Sequence, residues 1–232
     1  METSIIIPAY NEEKRIEKFL NELINYSKEN LRDFEIIVVN DGSRDKTADV
    51  VNAVIKSNNT DFVKLVNYRV NMGKGYAVKT GVNEAQGKHV LFIDADGAIK
   101  PNEIPVMLKH LAENDVVIGN RKTSDSKITK PQPFTRRLAS SVFNSYVNAL
   151  LGIKVHDLLC GFKGFKQDVA KNVFANLKTN RWAFDVEVLC KVKKNNYSVY
   201  QLPIEWEHKD DSKMKFADPL KILLEILKIR FL

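Results

Sequence analysis

Residues 34–45 read FEIIVVNDGSRD, and this stretch decides the fold. Its β-branched run from Ile36 to Val39 leads directly into a polar turn at Asn40. An uninterrupted apolar run that ends in turn residues is typical of a strand buried on both faces of a parallel sheet. Similar runs recur in the first half of the chain at Ser4–Pro8, Phe62–Asn67, His89–Asp94 and Asp115–Gly119.

Apolar residues at helical spacing separate the first three of these runs. The residues concerned are Ile16, Phe19, Leu20, Leu23, Ile24, Val50, Val51, Val54 and Ile55. Strands that alternate with helices predict an α/β fold with a mainly parallel central sheet and helices on both faces. Ligands of such sheets bind beyond the carboxyl ends of the strands, so the residues at those ends are the candidate site.

The second half of the chain has a different pattern. After the break at Pro131–Pro133, the apolar spacing predicts a helix over Phe134–Leu151 and another over Trp182–Val192. Val199–Trp206 alternates like a strand. The first of these helices carries apolar residues at every fourth position, namely Leu138, Val142, Tyr146 and Leu150.

A last helix is predicted to begin after Asp218 and Pro219, a good cap followed by proline at the first helical position. It continues over Leu220–Leu232 with a broad apolar arc and a polar stripe that is mainly lysine, as expected of a helix at a membrane surface. At ~1.5 Å per residue it is about 20 Å long, which is too short to span a bilayer.

Charge is distributed unevenly along the 232 residues. The chain holds 36 Lys and Arg against 29 Asp and Glu, but residues 1–119 have a net charge of −3 and residues 120–232 a net charge of +10. The basic half suggests an anionic partner such as nucleic acid, a phosphorylated lipid or a membrane surface, although a solvated basic face with no partner is the alternative. No basic motif interleaved with aromatic residues is present, which argues against nucleic acid.

Other classes of protein are excluded by composition. No run of about 18 apolar residues exists, and the start has neither the basic region nor the long apolar run of a signal peptide. The two cysteines, Cys160 and Cys190, cannot make a disulfide framework, and the four histidines lack zinc-ligand spacing. These features predict a cytoplasmic protein without a transmembrane helix.

Carboxylates and one glycine-flanked lysine follow the predicted strands. The segments are Pro8–Glu12, Asn40–Ser43, Asn71–Gly75 and Asp94–Gly97. Grouped carboxylates need a cation or hydrogen-bond donors, and Asp94 with Asp96 suits Mg²⁺ or Mn²⁺, which share oxygen ligands with substrate phosphates. Each segment alone is weak evidence, since acidic turns are common, but together they indicate a site. Val78 stands where a dinucleotide fingerprint needs glycine, and no NTPase phosphate loop is present.

The same segments, with Ser4–Glu12, resemble the inverting glycosyltransferases of the GT-A type. Later motifs resemble the polyprenyl-phosphate sugar transferases within that family, most closely the dolichyl-phosphate glucosyltransferases and next the mannosyltransferases. These motifs are Gly119–Arg121, Cys160–Lys163, Arg181–Glu187, and Trp206 with Ser212 and Lys213. The resemblance runs from about residue 3 to the end of the chain.

The resemblance implies roles for individual residues. The expected nucleotide-sugar site comprises Pro8, Tyr10, Glu12, Asp41, Lys74, Asp94, Ala95 and Asp96, of which the first four would surround the base and ribose. Asp94 and Asp96 would hold the metal ion, with Asp96 the stronger ligand. Arg121, Arg136 and Ser140 would bind the acceptor phosphate. The expected catalytic residues are Asp96, Arg121 and Asp185, with Glu187 also near the sugar.

The implied activity is metal-dependent inverting transfer of glucose from UDP-glucose to a polyprenyl or dolichyl phosphate at the cytoplasmic face of a membrane. Ala98, where mannosyltransferases usually carry glutamine, favours glucose over mannose from GDP-mannose, and Leu159 departs from the glutamine that relatives often have. Transfer to a saccharide hydroxyl is a further alternative, with Asp185 as the base. A basic binding module without catalysis is the alternative from another class.

The implied division of the chain is a GT-A-type domain at 1–213 and a membrane-interfacial helix at 214–232. Within the domain, residues 1–119 would form the nucleotide-sugar half and residues 120–213 the acceptor half. A phosphate acceptor is already an anion at neutral pH, so it needs cations to position it and no general base. The charge of the second half fits this demand.

Overall fold

The structure is a computed structural model that describes residues 1–130, 133–209 and 225–226, without the side chains of residues 134–136. Its strands are β1 (Thr3–Ala9), β2 (Phe34–Asp41), β3 (Val63–Tyr68), β4 (His89–Ile93), β5 (Val116–Asn120), β6 (Lys127–Lys130), β7 (Phe162–Lys166), β8 (Val199–Pro203) and β9 (Glu205–Glu207). Its helices are α1 (Ile16–Asn30), α2 (Thr47–Asn58), α3 (Lys74–Glu84), α4 (Glu103–Leu111), α5 (Phe134–Leu151), α6 (Gln167–Phe174) and α7 (Phe184–Lys194).

Seven strands form one sheet in the order β3-β2-β1-β4-β7-β5-β8. β7 is antiparallel to both of its neighbours, and the other paired strands are parallel. β6 and β9 form a separate parallel pair. The predicted mainly parallel sheet is therefore confirmed, and all five strands predicted in the first half are present within a residue or two of their expected bounds.

Helices cover both faces of this sheet, as predicted. Successive side chains of a strand point to opposite faces, so Ile5 and Ile7 pack with α1, α2 and α4 while Ile6 packs with α3, α6 and α7. All three isoleucines are completely buried. The unbroken apolar runs are thus explained by two cores, one on each side of the sheet.

The second half differs from the sequence prediction in places. α5 has the predicted bounds, but α7 begins at Phe184, two residues later than expected. The predicted strand Val199–Trp206 is two strands in different sheets, because the chain leaves the main sheet after Pro203. The predicted terminal helix at 214–232 lies outside the described residues except for 225–226.

The sequence analysis predicted neither the short strand β6 nor β7, a strand of the main sheet. β7 inserts between β4 and β5, and its antiparallel register pairs Phe162 with Ile93. Its amino end therefore lies at the edge where β4 ends, which brings the residues just before β7 next to Asp94. Phe162 and Phe165 are buried in the core.

α5 exposes part of its apolar stripe. Leu138, Val142 and Tyr146 are 55%, 62% and 48% exposed, whereas Val147 is buried. Within the described ranges, none of the helices has both the length and the hydropathy needed to cross a membrane.

Candidate active site

The carboxyl edge of the sheet brings together Asp94, Asp96 and Lys74. The two aspartates follow β4, and Lys74 is the first residue of α3, where Gly73 enters the helix at a φ of 105°. Lys74 Nζ lies 2.6 Å from Asp94 Oδ1. Asp96 Oδ1 accepts a hydrogen bond from the Ala98 backbone N–H at 3.0 Å.

The electrostatics of this group favour a bound cation. Burial and the neighbouring charge of Asp94 raise the pKa of Asp96 above its usual value. Burial opposes the charge of Lys74, but Asp94 and Asp185 raise the pKa of that amine. Lys74 pairs with Asp94, and the charges of Arg15 and Lys74 only partly offset the effects that raise the pKa of Asp96, so negative charge is left to be neutralised.

The aspartate pair fits a hard divalent ion that completes its coordination elsewhere. Over the described part of the chain, no three His, Cys, Asp or Glu side chains converge as a metal cage. Asp94 and Asp96 therefore offer two carboxylates at most. Magnesium is commonly held by one or two carboxylates, with substrate phosphates and water filling the other positions. The residues present fit Mg²⁺ or Mn²⁺ on these terms.

Asp41, predicted to contact the nucleotide, orders the loop that leads to Lys74. Its buried carboxylate accepts hydrogen bonds from the Tyr68 hydroxyl and the Met72 backbone N–H on Oδ1, both at 2.8 Å. Oδ2 accepts from the Asn71 side chain at 2.8 Å and from the Gly73 backbone N–H at 2.9 Å. The contact with the nucleotide remains a prediction, while the structural role is visible.

The turn after β1 carries the other predicted base and ribose contacts. Pro8 lies in β1 beside Val39, and Tyr10 follows the strand partly exposed. The Glu12 carboxylate forms an ion pair with Arg15, at 2.7 Å to both of its oxygens. Ala95, between the two aspartates, is buried. Their contacts with a nucleotide stay predictions.

The turns after β1 and β2 are joined to each other. The Asn11 backbone N–H donates to Ser43 Oγ at 2.9 Å, and the Glu12 backbone N–H donates to Thr47 Oγ1 at 2.8 Å. These bonds hold the two loops side by side at the carboxyl edge, as the strand-end argument expects.

Arg121, predicted to bind the acceptor phosphate, is held by Asp157. Its Nε and Nη2 donate to the two oxygens of that carboxylate at 2.7 and 2.8 Å. The guanidinium carbon also lies 5.3 Å from the centre of the Trp206 ring. Burial would raise the pKa of Asp157, but the charge of Arg121 and its hydrogen bonds hold it below the usual value. The Asp157 partner was not anticipated from the sequence.

The other predicted acceptor residues lie on α5. Ser140 is partly exposed, and its carbonyl oxygen lies 3.4 Å from Lys122 Nζ, which links α5 to the chain just after β5. Arg136 is in the first turn of α5, and its side chain is outside the described residues. The acceptor site that these residues would form with Arg121 remains a prediction.

Asp185 lies on α7 within a buried ion pair. Its Oδ1 is 2.5 Å from Lys163 Nζ, and the two side chains are 3% and 0% exposed. Burial raises the pKa of Asp185, while Lys163 and Lys74 oppose that shift. Asp185 is thus joined electrostatically to the donor edge through Lys74, although its nearest charged partner is Lys163.

Glu187, on the same helix, is held by the loop before α7, and its expected position near the sugar stays a prediction. Its buried carboxylate accepts hydrogen bonds from the backbone N–H groups of Lys178 and Thr179, at 2.8 to 3.0 Å, and from the Thr179 hydroxyl at 2.7 Å. It therefore fixes the loop before α7.

Gly161 is the close-approach glycine of the site. Its carbonyl oxygen accepts the Asp94 backbone N–H at 3.0 Å, and a Cβ at this position would clash with the Asp94 carboxylate. The motif Cys160–Lys163 was the only signal for this contact in the sequence, and it gave no indication that a strand or a buried lysine begins there.

A parallel sheet with paired carboxylates and a lysine at its carboxyl edge is typical of α/β proteins that bind phosphorylated ligands together with a divalent cation. The family model described as "Glycosyl transferase family 2" matches residues 4–174. The chain belongs to this glycosyltransferase family, which confirms the family that its motifs resemble.

Curated relatives cover nearly the whole chain. A dolichyl-phosphate beta-glucosyltransferase of Trichomonas vaginalis is 38% identical over 97% of this chain and 72% of its own length. Proteins of the same name from Dictyostelium discoideum and Homo sapiens are 34% and 31% identical, each over 98% of this chain and over 73% and 74% of their own lengths.

Solved structures confirm the GT-A-type fold. Glucosyl-3-phosphoglycerate synthase from Mycobacterium tuberculosis, in complex with Mn²⁺, UDP-glucose and phosphoglyceric acid, superposes with a TM-score of 0.75 at 17% identity, over 100% of this chain and 80% of that one. The same enzyme with Mg²⁺ and UDP gives a TM-score of 0.73 with the same coverage.

Proposed function

We propose that this chain transfers glucose from UDP-glucose to a polyprenyl phosphate of the dolichyl type, using Mg²⁺ or Mn²⁺. The observation that carries the proposal is the identity of 30–38% to dolichyl-phosphate beta-glucosyltransferases along 92–98% of this chain. The donor and the metal are supported by the fold neighbours with UDP-glucose, Mn²⁺ or Mg²⁺ and by the carboxylate pair at the sheet edge.

Asp94 and Asp96 would hold the divalent ion against the donor diphosphate. When bound, the ion stabilises the negative charge that develops on the leaving diphosphate. Lys74 contributes a fixed positive charge beside Asp94 to the same end. The Asp41 carboxylate keeps the loop before Lys74 in place by accepting four hydrogen bonds from backbone and side-chain donors.

The acceptor half, residues 120–213, would position the lipid phosphate for attack on the sugar. The phosphate is already an anion, so its attack needs no proton acceptor, and an Asp185 carboxylate occupied by Lys163 is compatible with that chemistry. Arg121, Arg136 and Ser140 would supply the contacts that orient it. In-line attack from the face opposite the diphosphate inverts the anomeric centre and gives a β-linked product.

The polyprenyl tail of the acceptor stays in a bilayer, so the protein would work at the cytoplasmic face of a membrane. The exposed side chains of Leu138, Val142 and Tyr146 on α5 form a surface suited to that contact. The amphipathic pattern of residues 214–232 would add a second one.

The test is transfer of radiolabelled glucose from UDP-glucose into organic-extractable dolichyl phosphate, with Mg²⁺ or Mn²⁺ and then with EDTA. Label in the lipid phase that EDTA abolishes is the expected result. Label that enters the lipid only when GDP-mannose is the donor would show that the transferred sugar is mannose and not glucose. Label only in a soluble saccharide would overturn the lipid acceptor and make Asp185 the base to test.

A further inference from the structure

The loop Asp157–Gly161, just before β7, lies between the donor and acceptor groups. Its first residue holds Arg121 through two hydrogen bonds of 2.7 and 2.8 Å. Its last residue accepts the backbone N–H of Asp94 and packs directly against that carboxylate. A segment of five residues therefore contacts the predicted metal ligand at one end and the predicted phosphate ligand at the other.

Lys163 fixes this loop from inside the protein. Its Nζ donates to the carbonyl oxygens of Leu158 at 3.1 Å and Cys160 at 2.7 Å, and to Asp185 Oδ1 at 2.5 Å. An ammonium has three N–H donors, and all three are used. The side chain is completely buried, so its charge costs free energy unless every donor is satisfied.

The two carbonyl contacts separate Lys163 from an ordinary buried ion pair. A pair with Asp185 would need one donor, whereas the other two close the turn that runs from Leu158 to Cys160. The Cys160 backbone N–H also donates to the Asp157 carbonyl at 3.4 Å, which ties the turn to the residue that holds Arg121. Movement of Lys163 would be transmitted to both ends of the loop.

We propose that Lys163 is a positioning residue that sets the spacing between the donor diphosphate at Asp94 and the acceptor phosphate at Arg121. It contacts neither substrate and acts through the loop Asp157–Gly161. The inference rests on the proposed function, because it takes Arg121 as a ligand of the acceptor. Displacements of about 1 Å between reacting groups can lower rates by about 10²-fold, so a rigid loop at this place matters for turnover.

Three variants separate positioning from charge pairing. Lys163→Met leaves Asp185 buried without a partner and is expected to lose stability. Lys163→Met combined with Asp185→Asn removes both charges and frees only the loop carbonyls. Asp185→Asn alone keeps the lysine on the two carbonyls but leaves its buried charge without a counter-charge, so it also loses stability. It is the reference for the kcat of the double variant. Lys166→Met is the matched control, since this lysine of the same strand pairs with Asp115 at a partly exposed position.

The double variant is expected to have a thermal unfolding midpoint no lower than that of Asp185→Asn, because it no longer buries an unpaired charge. Its KM for UDP-glucose and for dolichyl phosphate should each stay within about threefold, because both binding surfaces survive. Its kcat should fall about 10²-fold below that of Asp185→Asn, the loss expected for misaligned reactants. Lys166→Met should keep the kcat of the unaltered protein.

Two failures are distinguishable. If the unaltered protein glucosylates dolichyl phosphate and the double variant has the kcat of Asp185→Asn, this inference is overturned and the proposed function stands. A double variant that does not fold also overturns it, since Lys163 then serves stability. If the unaltered protein glucosylates no lipid phosphate, the proposed function and this inference both fall.

Discussion

Charged side chains are paired differently in two regions of this protein, the proposed donor edge around Asp94 and the proposed acceptor half at residues 120–213. At the donor edge, Asp94 and Asp96 share one lysine, and the side chain of Asp94 is 35% exposed. In the acceptor half, Arg121 and Asp185 each have a nearly buried partner of opposite charge. The first region keeps negative charge that its own side chains do not balance, as the divalent ion of the proposed function requires. In the second region these two ion pairs are neutral within the protein, so they fix geometry.

The largest effect is expected at the donor edge. Asp96→Ala removes the stronger of the two proposed metal ligands, and kcat should fall about 10³-fold, the scale of losing a main electrostatic contribution to the transition state. Steady-state transfer assays with varied Mn²⁺ would measure it. Asp49→Ala, which removes an exposed carboxylate from α2, is the control and should keep full turnover. Turnover retained by Asp96→Ala would exclude Asp96 from the metal site.

In the acceptor half, breaking an ion pair is expected to lower the stability of the protein. Asp157→Asn leaves the Arg121 guanidinium without its charged partner, and the free energy of unfolding should fall by about 3 kcal/mol, as for other broken buried pairs. Urea unfolding followed by circular dichroism measures this. In the control, Glu2→Gln removes an exposed pair with Lys88 and should leave the free energy of unfolding nearly unchanged. Equal losses in the two variants would show that the Arg121 pair is no more than a surface contact.

The difference between the donor edge and the acceptor half also explains which features could be predicted from the sequence. The strands of the first half are local patterns, since an apolar run such as Ile36–Val39 and its polar turn are adjacent in the chain. The grouping of Asp94, Asp96 and Lys74 followed from the rule that ligands bind at the carboxyl ends of parallel strands. Local pattern and general topology were sufficient there.

β7 and its partners could not be found in this way. Its sequence, FKGFK, holds two lysines and a glycine, which give neither an apolar run nor a clean alternation. Lys163 is buried because Asp185 lies 22 residues away in the chain and next to it in space. Asp157 meets Arg121 across 36 residues. Such pairs depend on tertiary structure, and no local pattern contains them.

A smaller effect is expected when the exposed apolar side chains of α5 are replaced. Replacing Leu138, Val142 and Tyr146 with serine should lower partition onto vesicles of phosphatidylcholine and phosphatidylserine about tenfold, or ~1.4 kcal/mol, roughly the transfer free energy of one side chain. Cosedimentation measures the partition. The thermal midpoint should not fall, because these side chains are exposed.

The donor half supplies the matched control for vesicle binding. Val70 and Val106 are 65% and 42% exposed, and replacing both with serine should leave the partition unchanged. If replacing these valines lowers the partition as much as replacing Leu138, Val142 and Tyr146, membrane contact is not confined to the acceptor half.

The smallest effect concerns the stability of the donor edge without metal. The pKa of Asp96 is raised by burial and by Asp94, so the folded protein binds a proton at this group more tightly than the unfolded chain does. Ionised Asp96 therefore lowers the free energy of unfolding at neutral pH. Asp96→Asn should raise the melting temperature in EDTA by ~2–4 °C, equivalent to about 1 kcal/mol for a domain of this size.

Two titrations identify this gain as electrostatic. As the pH falls from neutral towards the ordinary aspartate pKa of 3.8, Asp96 becomes protonated in the folded protein and the difference between Asp96→Asn and the unaltered chain should close. Adding Mn²⁺ at neutral pH should also close the difference, by raising the melting temperature of the unaltered protein, because the ion stabilises only the protein that retains the carboxylate. Differential scanning fluorimetry follows both. If the difference in melting temperature between Asp96→Asn and the unaltered chain persists at acid pH, the gain in stability comes from packing. The donor edge would then not differ from the acceptor half in its charge balance.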